Sequence, residues 1–143
     1  NIYDDSDTKL PQLSDLNYAK LYPEDPAWVN LDNQAILTID LDEGKEVSKV
    51  QFNFLRFTIS GKYPPHTIEI WNAQNETPQL ITTKLVGKEA FIQGRNKVPI
   101  TVEFEPQMMS KIKVVLKGHQ PLPANHHLGN QNSTITLDEL IVF

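Results

Sequence analysis

The closing run Ser133-Thr-Ile-Thr-Leu-Asp-Glu-Leu-Ile-Val-Phe143 carries a carboxylate where an apolar side chain is expected. With side chains alternating along a strand, Ile135, Leu137, Glu139, Ile141 and Phe143 face one way. A charge in that set costs several kcal/mol unless it is paired or richly hydrogen-bonded. Glu139 therefore demands a cation or a cluster of donors, or else a strand end wetter than its pattern. Asp15, in Leu13-Ser-Asp-Leu-Asn-Tyr18, lies in an irregular stretch whose backbone carbonyls can turn inward. Two carboxylates and several carbonyls make the oxygen-rich set that Ca²⁺ takes. The alternative is that Glu139 accepts backbone N–H bonds or meets a lysine or arginine. Either way, the N-terminal coil is pinned to the last strand.

Catalytic arrangements are sparse. No serine lies in a Gly-x-Ser-x-Gly elbow, and the chain has no cysteine to act as nucleophile. Asp138 and Glu139 are adjacent on a strand, so they are expected on opposite faces and not as a carboxylate pair. His126-His127 are neighbours, without the spacing of helical zinc ligands. Six scattered glycines make no phosphate cradle. A binding domain fits these residues better than an enzyme.

Sugar recognition needs an aromatic face for C–H groups, with amide, guanidinium and imidazole groups matching hydroxyls. The non-alternating stretches supply them: Arg56 at a strand end, Asn125, His126 and His127 in a late loop, and Tyr22 and Tyr63 beside prolines as stacking platforms. Each has a plainer reading. Arg56 fits a surface ion pair, and the histidines fit a solvated loop. Trp28, beside a strand start, is more often packed under a loop than offered to a ligand. Trp71 is out of phase with Ile68 and Ile70, so it faces outward or covers a sheet edge.

These groups must be held by strands, since alternation governs the chain from residue 35 onward. Ala35–Leu41, Val47–Phe57, His66–Asn72, Val98–Phe104, Lys111–Lys117 and the last strand each show it, and Gln79–Leu85 is a weaker strand. Trp28–Leu31 would make an eighth. Asp42-Glu-Gly44 reads as the turn between the first two, with glycine relieving the backbone. No convincing helix of ten residues or more is present. The reading is all-β: an antiparallel β-sandwich of about eight strands, with one side of each sheet wet. Residues 1–34 and 118–132 do not alternate, and long loops on such a scaffold are where binding resides.

The bulk numbers agree. At 143 residues, with 39% hydrophobic and 22% charged, the chain suits one globular module over residues 1–143. A net charge of −5 argues against nucleic acid, and no apolar run is long enough for membrane insertion. Lys111, Lys113 and Lys117 come nearest to a basic cluster and read as the solvated face of one strand. Asn1 in place of Met is expected of a processed chain or of a piece excised from a longer protein.

Leu13-Ser-Asp15, Asp25-Pro-Ala-Trp28, Leu37-Thr-Ile-Asp-Leu41 and Val47-Ser-Lys-Val50 resemble, in order and spacing, the opening of discoidin-like (coagulation factor type C) modules. Ile68-Glu-Ile-Trp71 and Leu137-Asp-Glu-Leu-Ile-Val142 are similar to their middle and closing strands. More narrowly, Leu122-Pro-Ala-Asn-His-His-Leu-Gly129 resembles C-terminal modules appended to Bacteroides-type β-N-acetylhexosaminidases (chitobiases). The resemblance implies a galactose-binding-like jelly roll without activity of its own. It would hold a glycan containing galactose or N-acetylhexosamine near the catalytic domain of the same polypeptide. The alternative is a structural domain that packs on that catalytic domain without binding sugar. The parent would be a secreted, periplasmic or cell-surface glycoside hydrolase. By the same resemblance Glu139 and Asp15 match ligands of a structural Ca²⁺, and Arg56 matches a sugar-contacting arginine. Leu16 and Asn17 stand where the family has Gly-Asn.

Overall fold

The computed structural model describes residues 1–15, 18–21, 24–87, 92–118 and 132–143. Among them run seven strands: β1 (Ile2–Tyr3), β2 (Val29–Leu31), β3 (Gln34–Phe57), β4 (Thr67–Asn72), β5 (Gln79–Leu85), β6 (Arg95–Lys117) and β7 (Ile135–Val142). Short 3-10 turns occupy Pro11–Leu13 and Thr58–Ser60. Every strand pairing is antiparallel, in the order β2-β7-β3-β6-β4-β5, with β1 also beside β3. The all-β expectation holds.

The connectivity differs from the alternation-based reading at two points: Val98–Phe104 and Lys111–Lys117 are parts of one continuous strand, β6, and the first two expected strands are likewise one. Asp42-Glu-Gly44 does not reverse the chain: β3 runs on through it for 24 residues, paired with the 23 of β6. The ladder slips between Asp40 and Lys45 and again between Val47 and Lys49, and these bulges bend both strands. Asp42 sits at φ 61, and its N–H donates to Asp40 Oδ1 at 2.9 Å. Aspartate tolerates that left-handed conformation because its short side chain bonds locally.

The bend makes two layers from one long hairpin. The first half of β3 and the second half of β6 join β1, β4 and β5, while the other halves join β7 and β2. Between the layers lies one core. Leu37, Ile39, Ile70, Ile112 and Val114 enter it from one side, and Val50, Phe52, Phe54, Ile100 and Leu137 from the other. The Phe52 and Phe54 rings stack with centroids 5.5 Å apart. Each such side chain contributes about 1.5–3 kcal/mol by leaving water.

The last strand keeps its expected phase only as far as Leu137. Leu137 pairs with Phe54 but Glu139 pairs with Asn53, so a bulge at residue 138 shifts the register by one. Beyond it Leu140 and Val142 meet the core, while Phe143 is 46% exposed. The expected inward set of Ile141 and Phe143 is thereby corrected. Asp138 and Glu139 are both buried, at 0% and 1% exposure. They are not split between a wet face and a dry one.

A second, smaller cluster explains that burial. The N-terminal coil lays Ala19 and Trp28 over Leu55, with Ala27 and Phe57 packed around them. Trp28 is indeed covered, its indole N–H donating to the Lys20 carbonyl at 2.9 Å. Among the described residues no helix is long and apolar enough to cross a membrane.

Candidate functional site

Folding a two-stranded ribbon in half brings all four of its ends to one end of the sandwich, opposite the bend. Gln34 pairs with Lys117 there in one layer, and Phe57 with Arg95 in the other. The connecting segments are knitted together at this loop end. Tyr63 N–H donates to Thr134 O (3.2 Å) and Thr134 N–H to Gly61 O (2.9 Å). Thr58 N–H donates to Gly94 O (3.1 Å), and Gly94 N–H returns a bond to Thr58 Oγ1 (3.0 Å). Gly61, at φ 74, closes the 3-10 turn in a conformation that favours glycine. Gly118 N–H donates to Asn33 O at 2.8 Å, and the Asn33 amide to Ser133 Oγ at 3.1 Å.

Two expected sugar contacts are enclosed within this framework. Arg56 lies opposite Asn96 and donates to its Oδ1 at 3.0 Å, with 4% exposure. It is thus neither a surface ion-pair partner nor an open guanidinium. Tyr63 is 1% exposed, and its hydroxyl accepts from Gln93 Nε2 at 3.2 Å. Its ring serves as a buried prop and not as the stacking platform its proline-flanked position suggests. Loop packing over long sequence separation buries both side chains, and no local pattern reports it.

Tyr22, Asn125, His126 and His127 lie outside the described residues. The residues flanking the late loop, Gly118 and Asn132-Ser133-Thr134, are at the loop end beside Asn33 and Gly61. Several polar groups there were not singled out by sequence. Lys62 donates to Asn30 Oδ1 (2.7 Å) and Thr136 Oγ1 (3.4 Å). Burial lowers its pKa from the ordinary 10.5, and Glu24 partly opposes that shift. Arg95 lies over the Phe57 ring, 5.0 Å from its centroid, and donates to the Leu21 carbonyl. Gln93, Arg95 and Asn96 are exposed. The run Gln93-Gly-Arg-Asn96, a glycine among polar residues just before an alternating strand, was the available signal.

The carboxylates at the closing strand divide their roles. Asp138 accepts from Ala19 N–H and from the Asn53 amide, both at 2.7 Å, with Lys97 Nζ 3.9 Å away. This carboxylate ties the N-terminal coil to β7. Glu139 is buried beside it and is not without a partner. The turn Pro11–Leu13 packs on β7 with Leu13 fully buried, and exposed Asp15 follows two residues later. Among the described residues no three His, Cys, Asp or Glu side chains gather as a metal site. A hard cation here would need backbone carbonyls to complete its oxygen set.

No family profile and no curated protein matches the chain. Solved structures do. CpGH89CBM32-6, produced by Clostridium perfringens, aligns over 100% of this chain and 91% of its own, with a TM-score of 0.63 at 11% identity. CpGH89CBM32-5 from the same organism, in complex with GalNAc-β-1,3-galactose, aligns over 81% and 74% with a TM-score of 0.53 at 13% identity. The CBM32 of AlyQ, in complex with 4,5-unsaturated mannuronic acid, aligns over 81% and 76%, with TM-score 0.54 and 13% identity. The chain has the fold of CBM32 carbohydrate-binding modules. That fold is the discoidin-like β-sandwich.

Proposed function

We propose that the chain is a non-catalytic carbohydrate-binding module whose loop end holds a glycan. The supporting observation is the gathering of all four ends of the β3–β6 ribbon, with their polar connections, at one end of a fold shared with sugar-complexed modules. Gln93, Arg95 and Asn96 supply exposed amide and guanidinium groups there, above the buried props Arg56 and Tyr63. Asn125, His126, His127 and Tyr22 complete the proposed contact set. The parent is a secreted, periplasmic or cell-surface glycoside hydrolase, of chitobiase type by the resemblance of Leu122–Gly129, and its catalytic domain acts on the glycan held. Glu139 and Asp15, with backbone carbonyls, would hold a structural Ca²⁺ that fastens the N-terminal turn to β7.

A glycan array followed by titration tests the reading. Galactose- or N-acetylhexosamine-containing glycans are expected to bind weakly, and the double variant His126→Ala/His127→Ala to lose that binding while melting normally. An array without a hit sinks the binding role. Chelator is expected to lower the melting temperature, and an unchanged value removes the Ca²⁺. One observation favours a second reading: Ile59 and Ile92, 69% and 43% exposed, flank this end and suit a protein surface. A domain that only docks would give no glycan signal and a stable complex with its catalytic domain.

A further inference from the structure

The loop end leaves one ordered surface unused, the outer face of the layer formed by β1, β3, β6, β4 and β5. Register places Tyr3, Thr38, Lys113, Trp71 and Leu80 directly opposite one another, so they form one row across five strands. Tyr3, Thr38, Lys113 and Trp71 are partly exposed and Leu80 is 46% exposed. Two aromatic rings thus flank a lysine. Tyr3 and Trp71 are three strand spacings apart, roughly 14 Å, a span that suits a trisaccharide.

The polar groups on this face are unevenly satisfied. Glu69 accepts the Trp71 indole N–H at 3.0 Å and Lys117 Nζ at 3.2 Å, anchoring the N–H edge of the ring and neutralising that lysine. Asp40 lies opposite Lys111 in the ladder. Lys113 Nζ instead rests 5.3 Å from the Trp71 centroid, and among the described residues it makes no ion pair. An ammonium held only by a ring at a partly exposed site is bound weakly enough for a ligand to redirect it.

We propose that this face is a second ligand site, for an anionic oligosaccharide bearing uronate carboxylates. A carboxylate draws Lys113 away from the indole into a charge-assisted hydrogen bond. The uncovered indole face then takes the C–H face of the adjoining sugar ring, and Tyr3 takes another at the far edge. Glu69 meets Lys117 and Asp40 lies opposite Lys111, so Lys113 is left to meet a ligand carboxylate despite the chain's net charge of −5. The site is separate from the loop end and stands or falls without it.

Amide and indole NMR spectra during titration with trigalacturonate, against neutral galactotriose, test the site. Trigalacturonate is expected to move the Trp71 indole N–H and the amides of Thr38, Leu80 and Lys113, less so as salt rises, and galactotriose is not. Lys113→Gln, a surface change, should weaken trigalacturonate about tenfold, the order of one charge-assisted hydrogen bond, with an unchanged melting temperature. Trp71→Phe identifies the indole signal and should also weaken binding. Shifts confined to Gly61, Asn96 and Thr134 would overturn this site while supporting the loop end. Absent shifts, or an affinity indifferent to Lys113→Gln, would overturn it as well.

Discussion

Asp138 has no access to water, and its two oxygens satisfy a backbone N–H from Ala19 and the side-chain amide of Asn53. Asp138→Ala leaves the buried Ala19 N–H and the half-buried Asn53 amide unpaired beside Lys97, so a loss of about 3 kcal/mol is expected. Urea denaturation measures it, and a change under ~0.5 kcal/mol, the usual size of a surface substitution, would contradict the assigned role. Asp25 does a similar task in the open. Its carboxylate accepts from Lys20 N–H (2.8 Å) and Ala27 N–H (2.9 Å), shaping the turn that places Trp28. The Ala27 bond, then the Lys20 bond, holds its pKa below the ordinary 3.8. Folding therefore favours the charged form. Its contribution is complete above the ordinary value and lost as pH falls through the lower, folded one. The variant Asp25→Asn should melt lower than the parent at neutral pH, and the gap should narrow on acidification below 3.8. A gap constant with pH would exclude this linkage.

Single strands were legible because a half-buried strand must alternate, and β4 and the halves of β3 and β6 do so in their own residues. What joins strands was less legible. A tight turn and a bend through a bulge both call for a residue that accepts positive φ, and Asp42-Glu-Gly44 satisfies either. The structure puts the demand on Asp42, at φ 61, whereas a Cβ on Gly44 would meet nothing closer than Met108 Cε at 3.8 Å. Gly44→Ala is therefore expected to be tolerated. Asp42→Val, a branched side chain in the left-handed region, should cost about 1–2 kcal/mol. Equal melting temperatures for the two variants would argue against a bend centred on Asp42. The β7 bulge was hidden for a related reason. Periodicity sees one strand, whereas register is a property of two, and only Asn53 opposite Glu139 reveals where the phase of β7 changes.

At the scale of the molecule, one folded ribbon creates both the core and the end at which we propose the glycan site. Damage at a junction of the connecting segments should therefore reach binding without touching a ligand. Gly118 is such a junction, where β6 ends beside Asn33 and Ser133. A Cβ there would come 2.8 Å from Ser133 Oγ and 3.0 Å from the Asn33 amide nitrogen, with the Asn33 carbonyl at 3.3 Å. The hydroxyl can rotate away, but the backbone carbonyl cannot, so Gly118→Ala must separate the β2–β3 turn from the start of β7. Overpacking of this kind costs about 1–3 kcal/mol. The same separation disturbs Thr134, whose backbone holds Gly61 and Tyr63 in place. The variant is expected to melt lower and to weaken glycan binding at the loop end, while trigalacturonate still shifts the Trp71 indole on the outer sheet face. If calorimetry with a glycan hit shows full affinity in a folded Gly118→Ala protein, the junction does not shape the site, and the contacts must lie on segments independent of it.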